Sequence, residues 1–478
     1  MNVLFASAEC APFFKVGGLG DVAYALPKEL VRQGTDIRVV LPFYAAMPQN
    51  YQDQLEDVLN FSIMVGWRTQ YCGIKTLQMD GVTYYFIDNQ YYFNRPNVYG
   101  YSDDGERFAF FNIAICEFME KIDFIPDVLH VNDWHTAMVP VLLKDKYQWI
   151  ENYQGIKTVL TIHNLQFQGV YDPLVLAELF GIGMNTWHEA GLKIYDSVNY
   201  LKGGIEYSDQ ITTVSPSYAS EIQTPTYGEH LDGVLRKNSW KLQGILNGID
   251  YDLNNPERDP LIPVHFTQDD LSGKVKNKVE LQEKLGLPVD ERVPILSMVT
   301  RLTSQKGCDL VLENLETILE RSVQVVILGT GDPRIEAAFR YFAEKHPGKL
   351  AVRIQFDAGL AQQIYAASDL FLMPSLFEPC GLSQLMALRY GTLPIVHETG
   401  GLKDTIVPYN QFTRIGTGFS FSTYTAEVFM QTIDRANALY WDDKATWQSL
   451  VKQAMAQDFS WSKSALVYQR VYQQLHIE

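Results

Sequence analysis

Apolar residues along the chain fall into short continuous runs, each closed by polar or glycine-bearing residues, with stretches of helical spacing between them. Asn2 to Ser7, Ile37 to Leu41, Val128 to Val131, Thr158 to Ile162 and Gln210 to Val214 are such runs in the first half. Ile295 to Val299, Val323 to Leu328, Leu350 to Phe356, Asp369 to Met373 and Thr392 to Val396 are their counterparts in the second. A run of this length without a polar face predicts a strand covered on both sides, as in a parallel sheet sandwiched by helices. Asp21 to Gln33, Lys274 to Leu285 and Gly381 to Arg389 carry helical spacing, and another helix is expected from Thr399-Gly400-Gly401 onward. The alternation predicts an α/β fold.

Between the second and third runs the pattern changes. Phe61 to Trp67, Gly73 to Met79 and Thr83 to Ile87 are short strand candidates, and Asp80-Gly81 is a good hairpin turn between the last two. They predict an antiparallel excursion on the first domain. Tyr91 to Phe111 is dense in aromatic residues beside Asp103, Asp104, Glu106 and Arg107. Such a cluster more often packs a core or a loop than binds sugar. Prolines, charges and turn formers from Asn254 to Phe266 predict a linker, and the tail after Asp458 has the spacing of a helix packed on the body. The chain therefore divides into domains at 1–250 and 251–457, with a C-terminal helix at 458–478.

The residues that close the runs carry the candidate chemistry. The first strand leads into Lys15-Val16-Gly17-Gly18-Leu19; later ones lead into Asn132-Asp133-Trp134-His135, into His163-Asn164 and into Ser215. In the second half, Arg301 and Lys306 follow one strand, Gly329 and Gly331 another, Glu378 a third and Thr399-Gly400-Gly401 a fourth. Open parallel sheets bind polar ligands at the carboxyl ends of their strands, so these junctions point to an enzyme that grips something hydroxylated and phosphorylated.

At 478 residues the chain exceeds the size of a single core, which agrees with two domains. A formal charge of -17 excludes nonspecific binding to nucleic acid or to anionic membranes, though not a small anionic ligand held in a local basic pocket. Cys10, Cys72, Cys116, Cys308 and Cys380 are scattered and odd in number, which fits a reducing compartment rather than a disulfide scaffold. The first residues lack a basic region and the apolar run is too short to span a bilayer. A cytoplasmic location is expected, or the stroma of a plastid if a transit peptide has been removed.

Each candidate has an ordinary role beside its functional one. Arg301 and Lys306, five positions apart, could converge on a diphosphate if Thr303-Ser304-Gln305 forms a loop; a rigid helix would separate them into a solvated basic pair. Gly17 and Gly18 could offer backbone amides to a ligand or simply make a turn, and Thr399-Gly400-Gly401 faces the same choice. His163 could hydrogen-bond sugar hydroxyls or cap a strand end. Glu378 could hold a hydroxyl or balance developing positive charge, or else cap a helix. Cys380, before Gly381, has no histidine nearby and is structural or ligand-adjacent. Asp133 and His135 lack further ligands and no CxxC pair occurs, so neither a metal nor a cofactor is expected.

Taken together, KVGGLGDVAYALP, NDWHT, HNLQFQG, YLKGGIEYSDQITTVSPSY, GILNGID, TRLTSQKG, PSLFEPCGLSQ and PIVHETGGLKDT resemble, in family order, the bacterial glycogen synthases and plant starch synthases. The resemblance implies a GT-B architecture of two Rossmann-like domains facing an interdomain crevice, with the C-terminal helix crossing back to the first domain. It implies a retaining transfer of glucose from ADP-glucose to the nonreducing 4-hydroxyl of an α-1,4-glucan, without a metal. The alternatives are a UDP-glucose-using or chain-initiating enzyme of the same fold, and a catalytically weak glucan-binding scaffold.

Carried onto this sequence, the resemblance implies that Lys15, Gly17 and Gly18 belong to the donor and catalytic loop and that His163 lies near the transferred glucose. Arg301 and Lys306 are implied at the donor phosphates, Glu378 as the carboxylate of FEPCG, and Asp133 close to the reacting sugar. Asn247, Cys380, Gly381, Thr399, Gly400 and Gly401 join the nucleotide-sugar site, with Asp21 and Asn164 on the acceptor side. Two departures stand out. Many related glycosyltransferases have a second glutamate eight positions after the first, where this chain has Met386, although this family commonly lacks it. Ahead of the TGG segment, where the family often carries arginine, this chain has His397, which could alter donor affinity or pack in the core.

Overall fold

The computed structural model describes residues 1–477 and forms two compact units, Met1–Asn247 together with the tail from Trp461, and Gly248–Ser460. In the first unit the strands are β1 (Asn2–Ala6), β2 (Asp36–Pro42), β3 (Glu56–Val65), β4 (Arg68–Met79), β5 (Val82–Asp88), β6 (Val128–Asn132), β7 (Lys157–Ile162), β8 (Val170–Tyr171), β9 (Lys193–Ile194), β10 (Ser197–Asn199), β11 (Gln210–Thr213) and β12 (Leu242–Gly244). Nine of them make one sheet in the order β12-β11-β7-β6-β1-β2-β5-β4-β3, and β8, β10 and β9 make a small separate one. From β12 to β5 neighbouring strands are parallel. Val3, Leu4, Phe5, Val128, Leu129 and Val131 are fully buried, because helices cover both faces.

The strands β3 and β4 pair antiparallel and extend the same sheet as its edge, rather than forming a layer of their own. Asp80 and Gly81 have φ of 52° and 78°, the two left-handed residues of a type I′ hairpin turn, with Met79 opposite Val82. The aromatic stretch packs inward: Tyr92, Phe93, Phe108, Phe110 and Phe111 are fully buried, and Tyr91 remains exposed. Arg107 is buried among them, donating to the carbonyls of Tyr92 and Val98 and pairing with Asp104 at 2.8 Å. The terminal helix Trp461–Gln474 belongs to this unit. It buries Trp461, Ala465, Tyr468 and Tyr472, and the Tyr472 hydroxyl lies 2.6 Å from His130 Nδ1.

The second unit holds one parallel sheet, β13 (Ile295–Val299), β14 (Gln324–Leu328), β15 (Leu350–Arg353), β16 (Leu370–Met373), β17 (Leu393–His397) and β18 (Phe419–Phe421), in the order β15-β14-β13-β16-β17-β18. Several elements differ slightly from the expected bounds. The helix expected from Gly381 starts at Ser383, because Gly381 takes φ 79°, and the strand from Leu350 ends at Arg353, before the exposed Phe356. The first helix begins at Gly18, ahead of Asp21.

The expected linker at 254–266 is corrected: those residues are part of the second unit. Ile262 and Phe266 insert into its core, and Asp259 accepts from Gln362 Nε2 at 3.0 Å and from the Tyr390 hydroxyl at 2.5 Å. Prolines and charges there serve an anchored loop, because two apolar residues and one buried carboxylate suffice to hold it.

Candidate functional site

In the first unit the strand ends bring Asp133 and His163 together. Asp133 follows β6 with φ 57°, a left-handed conformation that aspartate adopts more readily than most residues with a side chain. Its N–H donates to the Thr161 carbonyl at 3.0 Å, and its Oδ1 accepts the His163 N–H at 2.7 Å. Burial outweighs these backbone donors and raises the Asp133 carboxyl to about 7. The His163 imidazole is lowered to about 3 by desolvation, although part of the residue reaches the surface. Asn132 Nδ2 donates to the Ala6 carbonyl, so its Oδ1 faces His163 Nε2 at 2.9 Å as an acceptor. His163 is therefore protonated on Nε2, leaving Nδ1 as a lone-pair acceptor for a hydroxyl.

Lys15 and Asp21 form an exposed ion pair of 2.8 Å across the start of the first helix. The glycine loop between them is already occupied. The N–H groups of Val16 and Gly17 donate to Glu9 Oε1 at 3.0 and 2.9 Å, so the Gly17 amide expected to face a ligand is turned to a carboxylate of the chain itself. Asn164 Oδ1 accepts the Gln166 N–H in a local turn, and Asn247 is buried with its Oδ1 without a partner.

In the second unit Lys306 sits on Glu378, with Nζ 2.9 Å from Oε2 and 3.1 Å from Oε1, and both side chains are largely buried. Ser304–Lys306 is a single tight turn ended by Gly307 at φ 82°, which is the loop that the basic pair required. Arg301 is exposed. Ser375 Oγ donates to Glu378 Oε2 at 3.0 Å, and the Ser375 carbonyl lies 2.7 Å from His397 Nδ1. His397 is buried against Phe421 and Tyr424, so its ring braces the loop that carries Glu378.

The loops at 378–381 and 399–401 touch backbone to backbone. A Cβ on Gly400 would stand 1.9 Å from the Glu378 carbonyl oxygen, and one on Gly401 2.0 Å from that of Cys380. The Gly401 N–H donates to the carbonyls of Glu378 and Pro379, and the Thr399 N–H to that of His397 at 2.9 Å. At Thr399 and Gly401 the amides hold the chain to itself, as in the plain turn that was one of the two readings of this segment. Cys380 is buried, as its place between the two loops requires.

The sequence reading missed Glu9, Tyr99 and Ser375, and named Asn132 only as a strand-end residue without its contact to His163. Glu9 had a signal, a lone carboxylate inside the mostly apolar Ala6 to Phe14 stretch. Ser375 had none, because its role arises from contacts across loops. Among the described residues, no group of three His, Cys, Asp or Glu side chains could hold a metal, and no helix is long and apolar enough to cross a membrane.

Residues 2–237 match the family model for the starch synthase catalytic domain, and residues 280–445 match that for glycosyl transferases group 1. The chain is 57% identical to a protein named glycogen synthase from Streptococcus sanguinis, covering 99% of this chain and 100% of that one. A glycogen synthase from Lactococcus lactis is 55% identical, again over 99% of this chain and 100% of the relative. Among solved structures, the catalytic domain of starch synthase IV from Arabidopsis thaliana, bound to ADP and acarbose, aligns with a TM-score of 0.93 at 35% identity, covering 100% of this chain and 99% of that one. Sucrose-phosphate synthase from Thermosynechococcus elongatus aligns over 100% of this chain and 99% of that one with a TM-score of 0.63 at 18% identity, a likeness of fold alone.

Proposed function

The chain belongs to the glycogen and starch synthase family of glycosyltransferases, with the GT-B fold, and from that membership we propose its reaction and the roles of its residues. It transfers glucose from ADP-glucose to the nonreducing 4-hydroxyl of an α-1,4-glucan with retention at the anomeric carbon. The observation that carries this reading is identity of 57% to a glycogen synthase over 99% of the chain, with no part of that relative left uncovered.

Arg301 and Lys306 are assigned to the donor diphosphate, where positive charge stabilises the departing ADP. His163, through its Nδ1 lone pair, accepts a hydroxyl of the transferred glucose, and Asp133 stands beside it; Asn247 offers its unpartnered Oδ1 to a sugar hydroxyl. Lys15, Gly18, Cys380 and Gly381 are assigned to the donor, Asp21 and Asn164 to the acceptor. In the step itself the C1–O bond to phosphate breaks with its electron pair going to the β-phosphate oxygen. The acceptor O4 bonds to C1 on the same face, and its proton passes to the leaving phosphate. Glu378, held by Lys306, balances positive charge developing on the sugar. No metal or cofactor enters this scheme.

The test is incorporation of glucose from ADP-glucose and, separately, UDP-glucose into maltooligosaccharides of defined length, with linkage analysis of the products. Extension by α-1,4 bonds with a strong preference for ADP-glucose is expected. Preference for UDP-glucose would reassign the donor, and glucan binding without transfer from either donor would make the chain a scaffold.

A further inference from the structure

Glu9 lies three residues beyond β1 and is 4% exposed. Its backbone is pinned by Ser7, whose Oγ donates to the Glu9 carbonyl at 2.6 Å and accepts the Glu9 N–H at 3.3 Å. Its carboxylate is shared between two segments. Oε1 accepts the N–H groups of Val16 and Gly17, and Oε2 accepts the Tyr99 hydroxyl at 2.7 Å. Two successive backbone amides aimed at one anion form the same concavity that elsewhere binds phosphate, and here a side chain fills it. The packing leaves little slack: a Cβ on Gly20 would stand 2.9 Å from Lys15 Cγ and 3.3 Å from Glu9 Oε1.

The other end of the contact leads to Asp133. The Tyr99 ring stacks on His135 with centroids 4.6 Å apart and planes 15° from parallel, and His135 is two positions after Asp133 on the same strand-end loop. The His135 imidazole is held neutral, lowered to about 3 by burial and by the nearby Arg107 charge, so the stack carries no competing cation for Glu9. One buried carboxylate therefore joins the glycine loop, the segment before the helix Asp104–Lys121 and the loop that bears Asp133.

We propose that Glu9 is a positioning residue for glycosyl transfer, a built-in anion that shapes the Lys15–Gly18 loop before any ligand arrives and ties it through Tyr99 to the loop of Asp133. The amides of Val16 and Gly17 are thereby reserved for Glu9 and do not bind donor phosphate. What the loop presents to substrate is Lys15 and Gly18. This inference rests on the assigned reaction for its effect on rate, whereas the tether itself is independent of what the protein catalyses.

The experiment compares the full-length wild type with Glu9→Ala and Glu9→Gln, reading amide hydrogen exchange and transfer from ADP-glucose to maltooligosaccharides. In Glu9→Ala, exchange at Val16 and Gly17 should accelerate about 100-fold or more, while the amides of β6 and β7 keep their protection. Its kcat/KM should fall about 30-fold or more. Glu9→Gln keeps an acceptor for the two amides and a partner for Tyr99, and should recover most of both losses. Unchanged exchange at Val16 and Gly17 overturns the tether, and altered exchange with an unchanged rate overturns its catalytic role. A wild type that transfers no glucose instead overturns the assigned reaction, and leaves the exchange result to decide the tether. If Glu9→Ala does not fold, Glu9→Asp, which withdraws the carboxylate by one methylene, is read by the same two measurements.

Discussion

In the first unit, Asp133 and His163 meet where burial drives both toward the neutral form, the carboxyl up to about 7 and the imidazole down to about 3. In the second, Lys306 and Glu378 occupy an equally enclosed strand end as an ion pair of 2.9 Å with a serine hydroxyl on the carboxylate. A buried charge needs a partner and fixed donors, whereas a buried titratable group without a counter-ion sheds its charge. The difference divides the labour expected of a sugar-nucleotide enzyme. A site of neutral acceptors suits the hydroxyls of glucose, and a site that stores a lysine against a glutamate has a cation ready for phosphate.

The sharpest way to break this contrast is to remove the cation. Lys306→Ala leaves the Glu378 carboxylate, 7% exposed, with only Ser375 Oγ as a side-chain donor, and removes a charge assigned to the diphosphate. The kcat/KM for ADP-glucose should fall about 100-fold or more. Unchanged efficiency in steady-state assays would remove Lys306 from the phosphate role and make the pair a purely structural one.

Next in size is the backbone contact that supports Glu378. A methyl group on Gly401 would lie 2.0 Å from the Cys380 carbonyl oxygen and 2.4 Å from the Cys380 Cα, and backbone cannot give way as a side chain can. Gly401→Ala should cost about 3 kcal/mol in urea unfolding, since the 378–381 loop has to move. Equal stability would mean that the two loops part readily and that Glu378 is not held by them.

Asp133→Asn probes the neutral side of the comparison through pH. Between about 4 and 7 the folded protein keeps a proton on Asp133 that the unfolded chain releases, so this residue makes stability fall as pH rises through that window. Asparagine retains the carbonyl that accepts the His163 N–H, tolerates the left-handed backbone and carries no charge to bury. The variant should be about 2 kcal/mol more stable than the parent at pH 8 and no more stable near pH 4, by urea titration at each pH. His163 contributes the opposite slope, its buried neutral ring being lost as pH falls from 6.5 toward 3, and it cancels when the two proteins are compared at the same pH. A difference independent of pH would show that Asp133 is ionised in the folded state.

Most parallel strands of both units were legible because continuous apolar runs have few other uses, whereas the three-residue strands β12 and β18 are too short to stand out, and β5, read with the antiparallel excursion, also pairs parallel with β2. The hairpin was legible because Asp80-Gly81 accepts a conformation that other pairs resist. The residues at the strand ends were legible as candidates for the same reason. What the one-dimensional pattern could not carry is which polar group satisfies which. Glycines at 17 and 401 could be read as open amides or as plain turns, and only the fold shows that one N–H faces Glu9 and the other the Glu378 carbonyl. The proline- and charge-rich stretch at 254–266 read as a linker because average polarity hides the few anchors, Asp259, Ile262 and Phe266, that fix it.

The smallest expected effect tests how far the stored ion pair depends on its neutral neighbour. Ser375 is fully buried, its Oγ donates to the same Glu378 oxygen that lies nearer Lys306, and its carbonyl takes the contact from His397. Ser375→Ala removes the hydroxyl and leaves the backbone carbonyl in place, so the His397 brace survives and Glu378 loses one donor while keeping its lysine. A hydrogen bond to a charged acceptor contributes about 1.5–3 kcal/mol, and Lys306 can take up part of the loss by drawing closer. The kcat/KM should fall about three- to tenfold, well short of Lys306→Ala, and the double variant should be no worse than Lys306→Ala multiplied by that factor. A loss in Ser375→Ala as large as in Lys306→Ala would mean that the serine, rather than the lysine, sets the carboxylate's position, and the two strand ends would then both rely on neutral donors.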